Sequence, residues 1–161
     1  MDIKLLAIDA ATGTSGVASF VNGEYKDSYK VSTDSSSKGE DKLNEMIEII
    51  NATLKIEQPS IVVVESIMPT RNAAVTRMLQ ELTGAVRGLC IVNQIDYYEL
   101  KPSEYRSVIV KKYNQKPKGR KREDQKAWSL DVANNKMGIA TDDDNISDAV
   151  LLGTGYIEMF K

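Results

Sequence analysis

The sequence contains no histidine and a single cysteine, Cys90. Without histidine there is no Ser-His-Asp triad, no Cys-His pair and no His-ligated zinc. A lone cysteine excludes a disulfide framework and a Cys-rich metal site, and it suits a reducing compartment. No apolar run approaches the roughly 20 residues of a membrane-spanning helix. The opening stretch, MDIKLLAIDAATG, has an acidic second residue and neither a signal-peptide apolar core nor a cleavage site. A cytoplasmic protein with no membrane partner is therefore the expectation. A strong net charge is missing too: 21 Lys+Arg against 23 Asp+Glu leave −2. Chemistry in this chain must come from carboxylates, hydroxyls, amines or a metal held by oxygen.

What remains is an ordinary globular composition, 42% hydrophobic and 27% charged over 161 residues. That length fits one domain, 1–161, able to bury a core without disulfides or a structural metal. Residues 3–9, IKLLAID, read as a buried strand ending in an acid. Residues 14–21 read as a second strand, Asn22-Gly23 as a hairpin turn, and residues 24–32 as an outer strand. Leu43, Met46, Ile47, Ile50 and Leu54 form one stripe of a helix over 40–56. Residues 61–65, IVVVE, are a buried strand that again ends in an acid. A long helix over 72–93, a strand over 95–99, and helices over 102–113, 123–137 and 146–160 complete the order. A three-strand antiparallel meander followed by alternating helix and strand predicts an α/β fold with a mixed sheet flanked by helices. Its central strands should be the first and the fourth.

Asp9 and Glu65 end those two strands, and ligands of open α/β sheets gather at the carboxyl ends of strands. Parallel neighbours about 4.8 Å apart would bring the two acids together. Asp142, Asp143 and Asp144 precede the last helix, and Asp148 lies one turn beyond Asp144 on the same face. Several ionised carboxylates in one place require a positive partner. With oxygen ligands only, Mg²⁺ or Mn²⁺ is favoured, and two such ions can promote phosphodiester cleavage. A plainer account competes with this. An Asp at a strand end is often a turn residue, and an Asp run before a helix often serves as N-cap and dipole partner. Glu65 and Asp148 resist that account, because both sit among apolar residues.

The stretches LAIDAATGTSGVA, VVVESI and ISDAVLLG, in that order, resemble RuvC-type Holliday-junction resolvases of the RNase H-like superfamily. Phage-encoded members are the most similar. The resemblance extends through TRNAAVTRMLQELTGAVRGL and GRKREDQK and so covers nearly the whole chain. It implies an RNase H-like five-stranded sheet. It also implies a symmetric homodimer that cleaves branched DNA with Mg²⁺, or Mn²⁺ in its place, and leaves 5′-phosphate and 3′-hydroxyl ends. Asp9, Glu65 and Asp148 match the first, second and last family acids, with Asp9 bridging two metals. The remaining family acid falls on Asn145, so either Asp144 substitutes one position earlier or Asn145 weakens one metal site. In cellular relatives an aromatic follows the second acid by three residues and stacks on a base. Here that position is Met68, which implies looser recognition of the junction centre and action on other branched DNAs.

Residues 111–126 carry eight basic and two acidic residues. A mobile basic loop of this kind can track phosphates, or it can simply keep the surface soluble. Family members place essential lysines here, which makes Lys121, Arg122 and Lys126 candidates, with Lys118 and Arg120 as further phosphate contacts. Arg71 and Arg77 could meet DNA or be plain surface charges. Gly84 and Gly88 form a small strip on the long helix, fit for packing on the sheet or for a dimer contact, and family members dimerise through the corresponding helix. Trp128 reads as core, and Tyr97, Tyr98, Tyr105 and Tyr113 as half-buried. Two other readings stand beside the nuclease. One is a non-catalytic, structure-specific DNA-binding dimer. The other is an actin/hexokinase-type ATP-binding domain, suggested by the phosphate-loop look of residues 9–14. The resemblance places the protein in phage DNA processing within a bacterial host.

Overall fold

A computed structural model describes all residues, Met1–Lys161. Its strands are β1 (Lys4–Asp9), β2 (Thr14–Val21), β3 (Glu24–Ser32), β4 (Ile61–Glu65) and β5 (Asp96–Leu100). They form one sheet in the order β3-β2-β1-β4-β5. β1–β2 and β2–β3 are antiparallel, while β1–β4 and β4–β5 are parallel. The expected mixed sheet is thus observed, with β1 at its centre. Asn22 and Gly23 join β2 to β3 with φ of 52° and 83°, the two left-handed residues that a tight hairpin matching strand twist requires.

The helices are α1 (Gly39–Glu57), α2 (Ala73–Val92), α3 (Pro102–Tyr113), α4 (Arg122–Asp131) and α5 (Asp144–Met159). Side chains alternate across the sheet, so each strand feeds two cores. Leu6, Ile8, Val17, Val62 and Val64 pack against Leu43, Met46, Ile50 and Leu54 of α1 and Leu82, Val86 and Cys90 of α2. Leu5, Ala7, Ala18, Phe20 and Val63 point the other way, against Tyr105 and Ile109 of α3, Trp128 of α4 and 149–152 of α5. Burial of each such Leu, Ile, Val or Phe side chain contributes about 1.5–3 kcal/mol.

The sequence predicts one helix over 123–137, whereas the structure breaks it. After α4 the chain makes a π-helical turn, Val132–Lys136, in which Met137 N–H donates to the Val132 carbonyl five residues back. Asn134 accounts for the change. Its amide donates to the carbonyls of Leu130 (2.8 Å) and Thr141 (2.6 Å), and its oxygen accepts from Thr141 N–H (2.9 Å). One side chain therefore ties the end of α4 to the loop that leads into α5. The last helix also starts earlier than its apolar pattern indicates, because Asp143 caps it, accepting from Asn145 N–H at 2.9 Å.

Candidate active site

β1 and β4 bring the first two acids together by register. Ile8 pairs with Val64 across the parallel ladder, so the next residues, Asp9 and Glu65, lie level. Strand alternation turns both to the face of Ala7 and Val63, the face covered by α5. On the other side of β1, Asp9 pairs with Gly16 of β2. A Cβ on Gly16 would lie 1.9 Å from the carbonyl oxygen of Asn145. Only glycine allows α5 to start this close to β2, beside Asp9 of β1, and that approach brings Asp144 and Asp148 to the cleft.

Asp9, Glu65, Asp144, Asn145 and Asp148 line one cleft, and Arg106, Arg120, Arg122 and Lys126 line it with them. Burial lifts the Asp9 carboxyl well above the usual carboxylate range, and Asp148, Glu65 and Asp144 push it further in the same direction. Asp148 is raised as well, chiefly by burial, against the opposing hydrogen bond from Ser129 and the charge of Arg106. Arg106 also opposes the rise at Asp9, but Asp9 accepts no side-chain hydrogen bond and makes no ion pair.

Two helices supply counterweights. From α3, Tyr105 donates its hydroxyl proton to Glu65 Oε2 at 2.6 Å, and Arg106 Nη2 lies 4.0 Å from the same oxygen. From α4, Ser129 donates to Asp148 Oδ1 at 2.7 Å, and Lys126 Nζ meets Asp144 Oδ2 at 2.7 Å. Lys126 and Ser129 are i and i+3 on α4, and Asp144 and Asp148 are i and i+4 on α5, so two facing helix stripes match. Gln125 completes the wall. It accepts from Arg106 Nη1 at 3.3 Å and donates to the Gly119 carbonyl at 2.9 Å, fastening the basic loop to the cleft.

Set in this way, no three carboxylates close tightly enough to cage an ion. Like charges repel, and Lys126 holds Asp144 in an ion pair. The donor set nonetheless suits a hard divalent cation: every side-chain ligand is oxygen, and Asp9 and Asp148 are both held above the usual carboxylate range in a cleft they share with two further acids. Asn145 lines the cleft beside Asp144, so either could serve as the remaining ligand.

The other sequence candidates divide. Arg120, Arg122 and Lys126 reach the cleft. Lys118 lines a separate depression with Trp128 and Asp131, and Lys121 stays exposed before α4. Met68, 56% exposed, borders a second hollow that shares Asp9 and Glu65. Arg71 is exposed in the loop before α2, and Arg77 pairs with Glu81 on α2 at 2.8 Å. Gly84 and Gly88 face open space, with nothing within 4 Å of an added Cβ, so packing on the sheet does not explain them. Trp128 is core, its indole N–H donating to the Gln115 carbonyl at 3.0 Å. Asp143 serves as the helix cap and pairs with Lys30 at 2.8 Å.

Sequence reasoning missed Tyr105, Arg106, Gln125 and Ser129. Tyr105 is fully buried rather than half-buried. Its spacing of four from Ile109 signals a shared buried stripe, but nothing in the sequence says that its hydroxyl meets Glu65.

No family model and no curated protein matches the chain. Solved structures do. Thermus thermophilus RuvC in complex with Holliday junction substrate aligns with a TM-score of 0.74 at 12% identity, over 98% of this chain and 94% of that one. A further Thermus thermophilus RuvC structure gives 0.72 at 14% identity, over 98% and 95%. The chain has the RuvC fold. The yeast mitochondrial Holliday junction resolvase Ydc2 aligns at 0.61 with 12% identity, over 96% of this chain and 78% of that one. The expected RNase H-like architecture is therefore observed from end to end of this chain, on a backbone likeness that survives with little sequence in common.

Proposed function

We propose that the chain is a divalent-metal-dependent, structure-specific endonuclease that nicks branched DNA, four-way junctions first and forks or flaps as well. One observation carries the reading: Asp9, Glu65, Asp144 and Asp148 line a single cleft together with four cations, Arg106, Arg120, Arg122 and Lys126. Acids alone would repel a DNA backbone, and bases alone would only bind it. The combination suits a phosphodiester held by cations beside a group that cuts it. A RuvC of the same fold has been solved in complex with a Holliday junction substrate, which supports branched DNA as the partner.

Bound Mg²⁺, or Mn²⁺ in its place, would supply a water acidic enough to attack near neutral pH and positive charge for the departing oxygen. Asp9, Glu65 and Asp148 would hold it, with Asp144 or the Asn145 side-chain carbonyl assisting. Arg106, half-buried in the cleft wall, would face a non-bridging phosphate oxygen, and Arg120 and Arg122 the neighbouring phosphates. Lys126 would release Asp144 and turn to the DNA. The same reading makes the molecule a homodimer through α2, where Gly84 and Gly88 lie open and Val75, Ile91 and Val92 are 46%, 64% and 75% exposed. Two-fold symmetry would set two clefts for paired incisions. Branched phage DNA in a bacterial host is the setting that goes with it.

The test is incubation of the pure protein with an end-labelled four-way junction and Mg²⁺. Paired nicks with 5′-phosphate ends are expected, and Asp9→Asn should bind the junction without cutting it. Undiminished cutting by that variant would falsify the assignment. A second reading, a branched-DNA-binding protein without catalysis, is favoured by the Lys126–Asp144 pair and the neutral Asn145. It predicts tight junction binding with no nicks in either metal.

A further inference from the structure

We propose that Tyr105 and Ser129 are positioning residues, two buried hydroxyls that each fasten one oxygen of a cleft carboxylate and leave its other oxygen for a divalent cation. The inference rests on the metal-nuclease reading and concerns how this chain prepares that site. Tyr105 is 0% exposed and Ser129 2%. A hydroxyl buried that deeply is costly unless it is hydrogen-bonded. Tyr105 has one acceptor, Glu65 Oε2 at 2.6 Å. Ser129 gives its proton to Asp148 Oδ1 at 2.7 Å, while its oxygen stands 2.8 Å from Ser147 Oγ. Glu65 Oε1 and Asp148 Oδ2 accept nothing from the protein.

The two bonds share a design although they arise on different helices. Each acid lines the cleft, and each donor is a buried side chain, on α3 for Glu65 and on α4 for Asp148. Packing alone does not call for either hydroxyl: phenylalanine would fill the Tyr105 site, and a methyl group would nearly fill that of Ser129. Asp9 has no such donor.

The experiment compares the unmutated protein with Tyr105→Phe and Ser129→Ala, titrated with Mn²⁺ alone and without DNA, reading free Mn²⁺ by electron paramagnetic resonance. Loss of such an outer hydrogen bond typically weakens metal affinity about 10- to 100-fold. Each variant should therefore show at least a tenfold weaker Mn²⁺ affinity. Junction binding in EDTA should be unchanged, and nicking should recover at excess Mn²⁺. A residue that only supports packing would lower the melting temperature and leave Mn²⁺ affinity alone. That result in a folded variant overturns its assignment, and should one variant fail to fold, the other decides. If the unmutated protein takes up no Mn²⁺, the metal-nuclease reading falls and takes this inference with it. Uptake that is equal in all three proteins overturns only the inference.

Discussion

Gly16 stands opposite Asp9 in the β1–β2 ladder, with the Asn145 carbonyl where a side chain on Gly16 would begin. The pairing locks the start of α5 to the end of β1. Gly16→Ala should push α5 away, at the about 1–3 kcal/mol usual for overpacking, and should cut nicking at least tenfold by separating Asp148 from Asp9. Urea denaturation and junction nicking check the two effects. Wild-type nicking in a destabilised variant would break the link between them.

Asp9 is an acid that the fold makes harder to ionise. Its folded pKa lies above the unfolded value of about 3.9. Ionised Asp9 therefore weakens the fold, fully so above the folded pKa and not at all below the unfolded one. Asp9→Asn carries no such penalty. In EDTA it should melt higher than the unmutated protein at neutral pH, and the advantage should vanish as pH falls below about 3.9. Added Mg²⁺ should also narrow the gap, because it binds the unmutated fold more strongly. Calorimetry across pH reads both trends.

Arg120 and Arg122 line the cleft without an ion-pair partner. If each neutralises one phosphate, replacing either with alanine should lower the slope of log affinity against log salt by about 0.9. The loss should be similar for four-way junctions, forks and flaps. The Lys126–Asp144 pair is different in kind. Its side chains are 39% and 31% exposed, so Lys126→Ala should change stability by no more than about 1 kcal/mol. Filter binding over a salt series and thermal melts separate these effects.

Open space around Gly84 and Gly88 gives them opposite responses to small and large replacements. Alanine at either site should stabilise the chain by up to about 1 kcal/mol, since helical glycine costs that much. Leucine at both should also fold. In a dimer joined across this strip, however, the double leucine variant should dissociate, which sedimentation velocity would show as a fall to monomer mass.

Asn134 holds the π turn to the loop before α5 through three hydrogen bonds. Asn134→Ala leaves their part-buried partners without this side chain, a loss of about 1 kcal/mol or more. Hydrogen exchange should quicken in residues 137–143 and leave β1 and β4 protected.

The sheet was legible in the sequence because its signals are local. Apolar runs ending in Asp9 and Glu65, the Asn22-Gly23 turn and the stripe of α1 each need only a few neighbouring residues. The convergence of the acids followed from strand alternation and parallel pairing, both general rules. What stayed hidden depends on contacts between distant segments. Nothing near Tyr105 in sequence points to Glu65, 40 positions away, and nothing near Lys126 names Asp144. The break after α4 was hidden for the same reason: Asn134 suits a helix until Thr141 offers it a better partner. The role of Gly16 is visible only once α5 lies across β2.

The two apolar layers lie on opposite sides of the sheet, with α2 in one and α3, α4 and α5 in the other. All four acids, and the side chains that restrain them, belong to the second layer or to the strand ends facing it. The outer surface of α2, with Gly84 and Gly88 on it, therefore lies across the sheet from the helices that restrain the acids. Substitutions on that outer surface can therefore accumulate without altering the acids or the side chains that restrain them.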